Sequence, residues 1–261
     1  MADLRVFSAG IALSVIVATS QLSTAGIISY TKITNDADSG ISSANTYTHA
    51  VDFQRSGTGA AVVNGVQFDA YTKSGNPGLA LAVTAFGSLG DLDGGGTVTT
   101  TGGVSALMEG FVFNNGFSSS ATGEDMVATL SGLEEGQQYE LRIYTHRWTG
   151  GTRNVSVTFD PDGGGPIADA TPTLNQEDAR TALGPAAAVD DSYYISYTYQ
   201  ATSTQNLRVF FDQETNNSWH LYGLTNQVAL IPTPEALTVL GSGLLLMARR
   251  QRARDRRIDI A

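Results

Sequence analysis

The chain contains no cysteine. That absence excludes a disulfide framework, thiolate metal sites and a cysteine nucleophile. Basic residues are scarce in the body: between Gly26 and Pro234 there are 8 Lys or Arg against 21 Asp or Glu, a formal charge of −13. A surface of that sign excludes nucleic acid, which is held through phosphate-neutralising cations. No apolar run reaches the ~20 residues of a full membrane span. Val6–Ala18 and Ala236–Ala248 cover 13 residues each. Also missing are a Gly-x-Ser-x-Gly elbow, a phosphate-binding glycine loop, a dinucleotide fingerprint and His-Glu-x-x-His. His49, His146 and His220 invite a zinc reading, but none has another ligand at i,i+2 or i,i+4. A glycosidase carboxylate pair is built from distant residues, so its absence as a motif leaves a polysaccharide-active enzyme open.

What is present is glycine, 29 residues of it, together with abundant Thr and Ser and little Lys. That mixture belongs to strands and turns rather than helices. Alternating segments recur from Ile27 to Asn226: Tyr47–Phe53, Leu79–Phe86, Met126–Leu130, Tyr139–Tyr144, Val155–Asp160, Tyr193–Tyr199, Leu207–Phe211 and Trp219–Asn226. Asn64-Gly65 between Val62-Val63 and Val66 is the strongest short hairpin signal. Tyr139–Tyr144 and Val155–Asp160 also read as a hairpin, closed by the loop from His146 to Arg153. Tyr193, Ile195, Tyr197 and Tyr199 fall on one face, as a buried strand face requires. Ser105–Gly110 predicts one helical turn, and Asn175–Leu183 a short surface helix. With no repeat and no linker, these ten or so short strands predict one all-β domain over 26–230, a β-sandwich of jelly-roll type.

The two ends read as addresses. Met1–Ala25 has Arg5, an apolar stretch and Ser23-Thr24-Ala25, the small residues that a signal peptidase requires. The expectation is an N-terminal signal helix cleaved after Ala25. At the other end, Pro232 and Pro234 break the body. Ala236–Ala248 follows as a short transmembrane helix, and Arg249, Arg250, Arg252, Arg254, Arg256 and Arg257 stop it on the cytoplasmic side. The segment 231–257 resembles the PEP-CTERM sorting signal of bacterial surface proteins, with Pro234-Glu235 as its core and Arg249, Arg250 and Arg252 leading the arginine cluster. Ala236 stands where that family has its second proline, and Ile258–Ala261 extends past the arginines. The resemblance implies an exosortase-like sorting enzyme as partner, a transient hold in the inner membrane, and a destination at the cell surface or outside.

The body from Leu133 to Asn226 resembles PEP-CTERM ectodomains that carry a galactose-binding-like jelly roll. The resemblance lies in Gly132–Tyr144, a tryptophan-bearing loop, Val155–Phe159, Ile195–Tyr199 and Asn217–Leu224. Two candidate sites follow. In the loop, Trp148 offers a face for a pyranose, while His146, Arg147 and Arg153 offer hydrogen bonds to its hydroxyls. The plainer alternative is that the arginines pair with surface acids and Trp148 covers one end of the sandwich. Trp219 and His220 read as packing. Asp91 and Asp93, followed by Gly94–Gly96, look like the start of a calcium loop, but the distal glutamate of an EF-hand is absent. Asp and Gly are equally the residues of tight turns, here and at Asn35–Asp38 and Asp160–Gly164. The jelly-roll resemblance implies a structural calcium as the one possible cofactor. The function expected is a non-catalytic surface protein contacting extracellular polysaccharide; the alternatives are a polysaccharide-active enzyme and a purely structural surface protein.

Overall fold

A computed structural model describes residues 26–54, 60–71, 76–83, 88–93, 98–114, 126–148, 151–162, 169–215 and 217–229. The expected signal helix at 1–25 and the expected sorting tail with Pro234, Glu235, Arg249, Arg250 and Arg252 lie outside these residues. Among the described residues no helix is long and apolar enough to cross a membrane.

The chain forms an all-β sandwich. Its N-terminal part contains β1 (Ile27–Ile33), β2 (Tyr47–Asp52), the short pair β3 (Val62–Val63) and β4 (Val66–Gln67), and β5 (Asp69–Ala70). Next come β6 (Leu79–Val83), β7 (Leu89–Asp93), the one-turn helix α1 (Gly103–Leu107), β8 (Gly110–Asn114) and β9 (Met126–Ser131). The C-terminal half holds β10 (Gln138–Thr145), β11 (Asn154–Asp160), β12 (Asp169–Ala170), β13 (Leu174–Asn175) and α2 (Arg180–Leu183). It ends with β14 (Ser192–Gln200), β15 (Asn206–Gln213), β16 (His220–Leu221) and β17 (Gly223–Val228).

One sheet runs β1-β14-β10-β17-β2-β5 and the other β12-β11-β15-β9-β6, with β13 also pairing β11. All these pairings are antiparallel except β2 with β5. From β9 onward the long strands alternate between the two sheets, the jelly-roll manner of connection. Tyr193, Ile195, Tyr197 and Tyr199 lie in one core with Val155, Val157, Phe159, Val209 and Phe211 from the facing sheet. Tyr194 and Tyr144 point the other way, into a second cluster with Val63, Phe68, Val104 and Leu107. The first sheet is therefore covered on both faces, so β14 is buried at 7 of its 9 positions. Period-2 patterning alone would bury only half.

The Asn64-Gly65 hairpin forms as expected, with both residues at positive φ (49° and 79°), the mirror-image turn that matches strand twist. Three expectations are corrected. Tyr139–Tyr144 and Val155–Asp160 are not a hairpin: β10 pairs with β14 and β17, and β11 with β12, β13 and β15. Alternation says which face of a strand is buried, and it is the same for two strands that face each other across a core. The segment Trp219–Asn226 is not one strand. It breaks at Tyr222, whose carbonyl accepts from the Phe53 amide at 2.9 Å; β16 joins β8 and β7 in a third small sheet, while β17 returns to the first. Asp91–Asp93 is not a turn but the end of β7, with Asp91 opposite Val112 and Asp93 opposite Gly110.

Candidate functional site

The loop after β10 is the crossover between the two sheets, and its residues meet the third sheet on the way. His146 is fully buried, and its Nε2 lies 2.9 Å from the Met108 carbonyl just beyond α1. That contact places the ring proton on Nε2. The imidazole packs on Tyr222 with ring centroids 4.2 Å apart. Burial is the main cause that holds its pKa below the usual histidine value, opposed by the Met108 carbonyl.

Arg147, Trp148 and Arg153 converge on Glu177, a carboxylate whose side chain is 1% exposed. Arg153 Nε donates to Oε1 at 2.6 Å, and its Nη1 donates to the Ser218 carbonyl at 2.8 Å. The Trp148 amide donates to Oε2 at 3.2 Å. Arg147 Nε stands farther off at 3.9 Å, and its side chain keeps 35% exposure. Asn175 prepares this arrangement: its Oδ1 accepts from the Arg153 amide at 2.9 Å and from the Glu177 amide at 3.1 Å, fixing both partners relative to β13. Beside it, the side chain of Gln176 acts as a piece of strand. Its Oε1 accepts from the His220 amide at 3.0 Å, while Nε2 donates to the His220 carbonyl and to Thr145 Oγ1, each at 2.8 Å.

The indole of Trp148 is half-buried, 4.7 Å from the Phe111 ring at 73° and 5.2 Å from His220 at 86°. Phe111 and His220 are themselves stacked at 4.0 Å. Burial first, then the positive charge of Arg153 and the neighbouring His146, push the His220 pKa down to about 2. Trp219 is 1% exposed and sits with Phe211 in the main core, which is the packing role expected of it.

Of the four loop residues singled out, three thus gather at one place, while His146 turns inward beneath Tyr222. The arginines do meet an acid, but a buried one rather than a surface one. Glu177, Gln176 and Phe111 were not singled out by sequence reasoning. Glu177 lies in a polar stretch read as surface helix, and the only hint was two arginines in an acidic body with no partner in their own loop.

The other acidic candidates have local tasks. Asp36 accepts from the amides of Gly103 (3.0 Å) and Val104 (2.8 Å), capping α1 from a distance of 67 residues in sequence. Asp160 accepts from the Asp162 amide in an Asx turn. Among the described residues no group of three or more His, Asp or Glu is placed to hold a metal ion, and the loop after Asp93 lies outside them. The calcium site expected around Asp91 and Asp93 lies in part outside the described residues.

No family model matches the chain, and no curated protein matches it. Among solved structures, one similar to it is the N-terminal endo-1,4-beta-D-xylanase 10B of Clostridium thermocellum, its CBM22-1-GH10 modules complexed with xylohexaose. The likeness covers 59% of this chain and 26% of that one at 14% identity, with a TM-score of 0.34. Another is the enzymatically active domain of tailspike protein 4 of bacteriophage CBA120, covering 57% of this chain and 18% of that one at 12% identity, TM-score 0.30. Similarities this low carry no argument about ligand or activity.

Proposed function

We propose that the chain is an exported bacterial surface protein, sorted through Pro234–Arg257 by an exosortase-like enzyme, whose non-catalytic β-sandwich contacts extracellular polysaccharide through Trp148 and Arg147. The observation that carries the contact is the division of labour in the loop. His146 and Arg153 are consumed by internal partners, whereas Arg147 keeps 35% exposure beside the half-buried Trp148. An indole with an available guanidinium is a minimal sugar platform: the ring covers the apolar face of a pyranose and the planar donors meet its hydroxyls.

The test is binding to a panel of bacterial exopolysaccharides. Arg147→Ala and Trp148→Phe are expected to weaken binding, with the melting temperature of Arg147→Ala unchanged; binding indifferent to both substitutions would sink the contact. Polysaccharide turnover that one Asp or Glu substitution abolishes would sink the non-catalytic reading. For sorting, removal of 234–257 is expected to release the protein without a membrane-held precursor. A second reading, a purely structural surface protein, is favoured by the seating of Trp148 against Phe111 and His220. Its expected result is no glycan binding at all.

A further inference from the structure

Gly26 stands immediately before β1, and its backbone nitrogen donates to Oδ2 of Asp169 at 2.7 Å. The Tyr197 hydroxyl donates to the same oxygen at 2.7 Å. Asp169 belongs to β12 on the edge of the second sheet and Tyr197 to β14 of the first, so the contact ties the two layers together. Residue 26 has no room for a side chain: a Cβ there would fall onto the Tyr197 ring. That ring cannot step aside, because it is fully buried and stacked on Phe159 at 4.3 Å. Asp169 has two neutral donors, and among the described residues no Lys, Arg or His pairs with it. Among the described residues this half-buried carboxylate has no counter-charge, although the nitrogen of residue 26 is aimed straight at it.

We propose that Gly26 is the first residue of the exported chain and that its α-ammonium is the counter-ion of Asp169, clamping β1 to the facing sheet. This rests on the export reading above, in which Ser23 and Ala25 supply the small residues before the cleaved bond. Hydrolysis breaks the bond between the Ala25 carbonyl carbon and the Gly26 nitrogen. The hydroxyl of water goes to the Ala25 carbonyl, which leaves as a carboxylate, and the protons go to the nitrogen, which becomes an ammonium. An amide hydrogen bond is thereby replaced by a charge-assisted one of roughly twice the strength. A signal peptidase does not require glycine after its cut; the Tyr197 ring does. Processing then both frees the body and tightens it, because the charge appears where an acid already waits.

The test starts with the N-terminal peptide of the protein recovered from an exporting bacterial host, identified by mass spectrometry; it is expected to begin at Gly26. Thermal unfolding is then compared between this form and a chain that retains Ala25. Asp169→Asn is expected to lower the melting temperature of the Gly26 form by roughly 2–4 °C more than that of the Ala25 form, the shift of one charge-assisted bond in a domain of this size. Tyr197→Phe keeps the ring and is expected to lower both forms alike. An exported protein that begins elsewhere overturns this inference and leaves export standing. A chain with its leader uncut overturns export and the inference together. A Gly26 start with the same Asp169→Asn effect in both forms overturns the ion pair alone.

Discussion

Arg153 and Glu177 form an ion pair between the loop that crosses from β10 to β11 and the loop that follows β13, with Nε 2.6 Å from Oε1 and side-chain exposures of 13% and 1%. Neither partner is released to solvent when the other is removed. Glu177→Gln is therefore expected to cost roughly 3 kcal/mol, the size seen when one member of a buried pair is deleted. Arg147→Ala, which removes a half-exposed group 3.9 Å away, should cost under about 0.5 kcal/mol. Urea unfolding of the two variants measures both; equal losses would contradict this ranking.

The buried histidines make stability depend on pH. His49, His146 and His220 all have pKa values lowered chiefly by burial, His220 to about 2. The unfolded chain thus binds more protons than the folded one once the pH falls below the ordinary histidine value of roughly 6.5. Stability is complete above that pH and declines below it, by as much as about 1.4 kcal/mol per pH unit for each histidine. Melting temperatures between pH 8 and pH 4.5 should show the decline, and His220→Phe, which keeps the stack on Phe111, should make it shallower.

Gln176 supplies three hydrogen bonds to His220 and Thr145 from a fully buried amide. Gln176→Leu leaves those groups without partners in the interior, at an expected cost of about 2–3 kcal/mol. Amide exchange at His220 should accelerate in the variant, because that N–H loses its acceptor; unaltered protection there would count against the role assigned to Gln176.

At the β3–β4 turn, Gly65 has φ 79° and its nearest neighbour for an added Cβ is Ser43 Cβ at 3.8 Å. Space is therefore not limiting, and Gly65→Ala isolates the cost of left-handed backbone, about 1 kcal/mol. Gly65→Asn should recover part of it, since asparagine tolerates that region better. Thermal melts of the pair suffice.

That turn also marks the limit of what was legible from residues alone. The Asn64-Gly65 pair, the inward face of Tyr193, Ile195, Tyr197 and Tyr199, and the helical turn near Ser105 depend on neighbours a few positions apart, so the local pattern specifies them. The all-β class follows from the same local rules summed along the chain. Partner choice does not. Tyr139–Tyr144 and Val155–Asp160 carry the same alternation whether they pair with each other or face each other across a core, and only the assembled sandwich selects the second. Tyr222 breaks its strand because the third sheet claims His220 and Leu221 on one side while the first sheet claims Gly223 on the other. The loop of His146, Arg147, Trp148 and Arg153 was visible as a cluster. Its division into inward and outward residues was decided by Glu177, buried 24 positions beyond Arg153. Period and turn chemistry are short-range and lie in the sequence itself; burial of a charge and pairing of strands are long-range, and exist only once the two sheets have closed on each other.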